Sequence, residues 1–137
     1  MNYQETFITV APDCPVEASV MPKQRGQKKS VPLLQYELLS GNPYTYTGQE
    51  LIFETHVRRL NLSEVELANQ RDEIWAELFS KPHACMRASA LAKKYGWGLH
   101  YDEDGRIALV GMETDTYQQM NDNPQLKKLA AMRSKRA

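Results

Sequence analysis

The stretch WGLHY–DEDG–RIALVG, residues 97–111, restricts the fold more than any other. Two short runs rich in β-formers flank a four-residue link that ends in glycine. A type I turn with Gly105 in the left-handed conformation closes such a link, so the stretch predicts an antiparallel hairpin. Strand alternation then puts Trp97, Leu99 and Tyr101 on one face and Gly98 and His100 on the other. A hairpin alone is marginal in water, so further strands or a covering helix must bury its apolar face.

The rest of the chain offers both. ETFITVA alternates and reads as a strand that stops at Pro12. LLQYELL reads as a second strand, with Leu34, Tyr36 and Leu38 opposite Gln35 and Glu37. LIFETHVRR shows the clearest alternation. As a strand it sends Leu51, Phe53, Thr55 and Val57 inward and Ile52, Glu54, His56 and Arg58 outward. The best helix follows Ser63, which has Glu66 at capping-box spacing and Leu67, Ile74, Trp75, Leu78 and Phe79 along one stripe. ACMRA fits either an extended segment or a helix start. Ser89 caps a short helix that Gly96 stops, and Thr114 or Asp115 caps another. Asn123 and Pro124 have the cap and first-turn positions of a last helix, which carries a thin apolar stripe.

Together these elements predict an α+β fold. A mainly antiparallel sheet of about five strands would be covered on one face by helices, as layer packing requires. Trp75, Phe79, Phe53, Leu34, Tyr36, Leu91, Leu99 and Leu109 are the expected core. The 137 residues suit one globular domain over 1–120, with a mobile basic loop over about 17–31 and a basic C-terminal helix or frayed tail over 121–137. No apolar run approaches a membrane span, and the N-terminus lacks the pattern of a secretory signal. Six Met and two widely spaced Cys indicate a reducing, cytoplasmic setting.

Formal net charge is zero, but it is uneven. PKQRGQKKS carries Lys23, Arg25, Lys28 and Lys29 without an acid, and LKKLAAMRSKRA carries Lys127, Lys128, Arg133, Lys135 and Arg136 without one. Such stretches attract polyanions. Neither interleaves aromatics for base stacking, so solvated loops are favoured over a nucleic-acid surface.

Four places merit attention as sites. The polar face of Glu54, His56 and Arg58, with Glu37 alongside, is a solvated sheet face or the wall of a groove in which His56 and Glu54 move protons. Cys85, between His83 and Arg87, is a buried apolar side chain or a thiolate activated by positive charge. Arg87 beside the start of the Ser89 helix is a surface arginine or an anion contact. The histidines His56, His83 and His100 lack metal-ligand spacing, so no metal is expected. No P-loop and no dinucleotide fingerprint is present, and no cofactor is implied.

TFITVAPDCP, QYELLSGNPYTYT, LIFETHVRR and above all RASALAKKYGWG before the DEDG turn resemble a family of short, mostly bacterial proteins known only as a domain of unknown function. The resemblance covers most of residues 3–120 and implies one domain of conserved length in a free-standing protein. It brings no activity, cofactor or catalytic residue. The favoured expectation is a small binding module for a polar or anionic ligand or a protein partner, with Arg87, Ser89, Arg58 and Glu37 as contacts and a homodimer as one form. The alternatives are a small enzyme using His56 or Cys85 with a carboxylate, and a nucleic-acid accessory protein using the basic loop and tail.

Overall fold

The hairpin forms as its sequence predicts. In the computed structural model, which describes residues 3–24 and 26–134, Trp97–Tyr101 (β2) pairs antiparallel with Ile107–Gly111 (β3). Gly105 closes the turn at φ +78°, and the Asp102 carboxylate accepts from the backbone N–H of Asp104 and Arg106, each at 2.9 Å. Thr6–Thr9 (β1) pairs antiparallel with β2, placing Phe7 opposite His100 and Ile8 opposite Leu99.

The fold is α+β, and its sheet is smaller than expected and mixed. A fourth strand, Lys127–Ala130 (β4), runs parallel to β1, giving the order β3-β2-β1-β4. The segment after Asn123 is therefore a turn and a strand rather than a helix. The Asn123 side chain accepts from the Gln125 N–H at 2.9 Å, and its carbonyl accepts from the Leu126 N–H at 3.2 Å. That turn delivers the chain to the open side of β1. The basic positions Arg25, Lys135 and Arg136 lie outside the described residues.

Both remaining expected strands are helices. Val31–Gly41 (α1) starts at Ser30, whose hydroxyl accepts from the Leu33 N–H, with Pro32 in the first turn where a missing N–H costs nothing. Gly48–Arg59 (α2) starts with a full capping box between Thr47 and Glu50. The alternation along Leu51–Arg59 is real but has a different cause. Two residues of helix turn the chain by about 200°, so alternate positions fall on opposite sides. Leu51 enters the main core on one side. Phe53 meets Trp75 on the other, with ring centroids 5.0 Å apart. A helix buried on both flanks shows the pattern that an isolated sequence assigns to a strand.

Glu64–Leu78 (α3) begins at Ser63 with the expected capping box. It packs on the outer flank of α2 and not on the sheet, so Trp75 and Phe79 are half-buried rather than core. A 3₁₀ turn at Met86–Ala88 leads to Ala90–Lys93 (α4), capped by Ser89, and Gly96 at φ +80° sends the chain into β2. Asp115–Asp122 (α5) is capped by Thr114.

The helices do not all share one face of the sheet. Ile8, Leu99, Tyr101 and Ile107 face the main core with Leu38, Leu39, Leu51 and Leu91 of α1, α2 and α4. Phe7 points the opposite way and packs edge-on against Tyr117 of α5, with centroids 5.0 Å apart. Tyr36 and Leu109 are half-buried against the main core, whereas Leu34 and Phe53 are buried. Among the described residues no helix is long and apolar enough to cross a membrane.

Candidate functional site

Helical geometry takes apart the expected polar strand face. Glu54 and Arg58 lie one turn apart on one side of α2, and Arg58 closes on the Glu54 carboxylate at 3.4 Å and its carbonyl at 3.1 Å. His56 sits about 200° around the helix from Glu54, so the two do not converge. Glu54 also holds Arg71 of α3 at 3.5 Å, and the Arg71 guanidinium stacks 4.7 Å from the Phe53 ring centre. These contacts fasten α3 to α2.

The last turn of α2 instead meets the basic loop before α1. His56, Arg58, Arg59, Leu60 and Asn61 form one wall of a cleft of about 640 Å³, and Gln27, Lys28, Lys29 and Leu34 form the other. Cations in this turn suit the negative end of the α2 dipole. Glu37 of α1 neutralises Lys29 through contacts of 2.9 and 3.0 Å, and Glu54 partly neutralises Arg58. Among the described residues Lys28 and Arg59 have no carboxylate within ion-pair distance. Among the described residues no carboxylate lines the cleft.

Arg87 and Ser89 serve contacts elsewhere. Nε–H of Arg87 donates to the Ala130 carbonyl at 2.8 Å, and the Met132 N–H donates to the Arg87 carbonyl at 2.8 Å, which ties β4 to the 3₁₀ turn. The Ser89 hydroxyl accepts from the Leu91 N–H and donates to Gln35 at 2.8 Å inside the core. Gln35, expected on the strand face, is thus buried.

Cys85 precedes the 3₁₀ turn and is half-buried; both cysteines are free thiols. The Tyr3 hydroxyl donates to its Sγ at 3.2 Å. Burial pushes the Cys85 thiol up, but the Tyr3 hydroxyl, the Arg87 backbone N–H and the Arg87 charge together bring it below the ordinary thiol range. Tyr3 in turn packs edge-on against Tyr101, with centroids 5.4 Å apart.

The histidines stay apart in role. His56 lines the basic cleft. His83 donates Nε2–H to the Leu78 carbonyl at 2.6 Å beyond the end of α3. His100 Nδ1 lies 2.8 Å from the Tyr44 hydroxyl. Burial lowers the His100 pKa, against the pull of the Asp102 charge. Among the described residues no three His, Cys, Asp or Glu side chains could hold a metal ion together.

Sequence reasoning had linked neither Lys28 with Arg59 nor Tyr3 with Cys85. The first pair could be noticed only as two basic runs, since their meeting depends on how α1 and α2 pack. Tyr3 carries no local signal, because it lies 82 residues from Cys85 in the sequence.

The family model described as a family of unknown function, DUF6157, matches residues 1–137, and the chain belongs to that family. Neither the curated proteins nor the solved structures provide a match.

Proposed function

We propose that the protein is a small binding module that takes an anionic ligand in the cleft between residues 27–29 and the end of α2. One observation carries this reading. Lys28 and Lys29 face His56, Arg58 and Arg59 across a cleft that, among the described residues, no carboxylate lines, and among those residues Lys28 and Arg59 have no carboxylate within ion-pair distance. The cleft lies within the size range of small-molecule sites, roughly 300–1,000 Å³. Leu34 and Leu60 add apolar surface, and Asn61 adds an amide donor. A compact anion bearing several charges, of the phosphate or polycarboxylate class, matches this lining better than a neutral or apolar molecule. Arg59 and Arg58 offer forked donors for such oxygens, and Lys28 offers a point charge.

Thermal melts of the full chain in inorganic phosphate test the reading. Phosphate that binds the folded state raises the melting temperature with concentration. The rise should exceed that in an equal ionic strength of chloride, and the combined Lys28→Ala and Arg59→Ala variant should lose most of the excess. Equal shifts in phosphate and chloride for the wild-type chain would count against the site.

A further inference from the structure

We infer that the cavity between Tyr46 and the facing flanks of α2 and α3 recognises a guanidinium group, and that Arg71 occupies part of this site as an internal stand-in for the ligand.

The site shares no lining residue with the basic cleft and has the opposite character. Tyr46, Phe53 and Trp75 supply aromatic surface, Glu50 and Glu54 supply carboxylates, and Arg71 completes the lining of a cavity of about 160 Å³. That volume is below the roughly 300–1,000 Å³ of sites for drug-sized ligands, so it suits a single head group. Its walls are anchored. The Tyr46 carbonyl accepts from the Ile107 N–H at 2.9 Å, and Glu50 Oε1 accepts from the Thr47 N–H at 3.0 Å.

Three observations give the ligand its chemistry. A guanidinium is already seated here: Arg71 Cζ lies 4.7 Å from the Phe53 ring centre, and Nη2 lies 3.5 Å from Glu54 Oε1. Ring stacking and a carboxylate together select a flat, forked cation over a compact one. Arg71 also holds its place loosely. Its side chain is 51% exposed, and an exposed ion pair of this kind contributes little. Every residue of α3, which carries it, stays at least partly exposed. Finally, the carboxylate has capacity left. Glu54 Oε2 is buried and accepts no hydrogen bond among the described residues, although Arg58 lies at ion-pair distance from outside the lining. Buried acceptors are nearly always satisfied, so this oxygen calls for a donor.

A ligand guanidinium, free of the tether to α3, can present its full fork to both Glu54 oxygens where Arg71 reaches one. With Arg71 turned out to solvent, the lining keeps two carboxylates and no cation. A cationic head then meets aromatic faces and negative charge together.

Titration of methylguanidine into the isotope-labelled full chain tests the site, read by NMR from its two tryptophan indole N–H signals. Trp75 lines the cavity, whereas Trp97 donates its indole N–H to the Val20 carbonyl at 2.8 Å and serves as the reference. The Trp75 signal should shift saturably. Equal concentrations of sodium or tetramethylammonium chloride should shift it little, since neither cation offers an N–H to Glu54. Arg71→Ala should tighten methylguanidine binding about fivefold or more, because the internal competitor is gone. Glu54→Gln should weaken it about tenfold or more, with the Trp97 signal in its wild-type place as the sign of a kept fold. Arg71→Ala binding no tighter than wild type would overturn the proposal. So would a Trp75 signal that stays still in both chains, or one that answers tetramethylammonium equally. N-acetylarginine amide, run beside methylguanidine, separates the sources. Tighter binding of the amide assigns the site to an arginine side chain of a peptide and weaker binding to a free guanidino compound, and either order supports a guanidinium site.

Discussion

The Ser89 hydroxyl donates a 2.8 Å hydrogen bond to the side-chain oxygen of Gln35, joining the start of α4 to the middle of α1 inside the core. Each residue is 8% exposed. The same hydroxyl caps α4 by accepting from the Leu91 N–H. Ser89→Ala removes the cap and leaves a buried carbonyl oxygen without its donor. The expected loss is about 2–3 kcal/mol of unfolding free energy, read from the urea midpoint. Adding Gln35→Met should restore part of it, because an apolar pair leaves no orphan. A Ser89→Ala loss below about 0.5 kcal/mol would show that the bond does not help to hold the core.

Gly98 lies where β2 passes beneath α5. A Cβ there would stand 2.8 Å and 2.9 Å from carbons of the Phe7 ring and 2.9 Å from the Tyr117 ring. Those rings pack against each other, and the Tyr117 hydroxyl accepts from the Val10 N–H at 3.0 Å, so neither moves freely. Gly98→Ala should destabilise by about 1–3 kcal/mol through overpacking. Combining it with Tyr117→Leu should relieve part of the clash. Near-wild-type stability of Gly98→Ala would mean that α5 yields easily.

His100 gives the fold a pH dependence of definite sign. Burial holds its folded pKa below the ordinary value of about 6.5, although Asp102 pulls upward. The unfolded chain therefore binds the proton more readily than the folded one. This contribution is complete above the unfolded pKa and is lost as pH falls through and below it. The melting temperature should fall more steeply between about pH 7 and pH 5 in the wild-type chain than in His100→Gln. Identical slopes would assign the acid sensitivity to other groups.

Local chemistry made the hairpin, the three helix caps Ser63, Ser89 and Thr114, and the stops at Gly96 and Gly105 legible in the sequence. Each depends on residues within one turn of one another. Thr47 and Glu50 carried the same capping-box spacing as Ser63 and Glu66, and Ser30 before Pro32 carried a second helix start. The alternation of Leu51, Phe53, Thr55 and Val57 outweighed the first signal. That alternation arises because α2 is covered on two flanks, by the core and by α3, which is a property of packing. The strand Lys127–Ala130 was hidden for a related reason. Its partner, β1, is distant in sequence, and Asn123–Pro124 reads equally well as a turn or a cap. Arg58 and His56 reached the basic cleft, but the partners assigned to them did not. The cleft exists only once residues 27–29 meet the end of α2.

Calorimetric titration of pyrophosphate into the full chain tests the anionic cleft most directly. The wild-type chain should bind at one site, with affinity falling as salt rises from about 0.05 M to about 0.5 M, because exposed charges are screened. The combined Lys28→Ala and Arg59→Ala variant should bind at least about tenfold more weakly, and Lys94→Ala, in the turn after α4, should match the wild-type chain. Equal affinity in the wild-type chain and the combined variant would contradict the account.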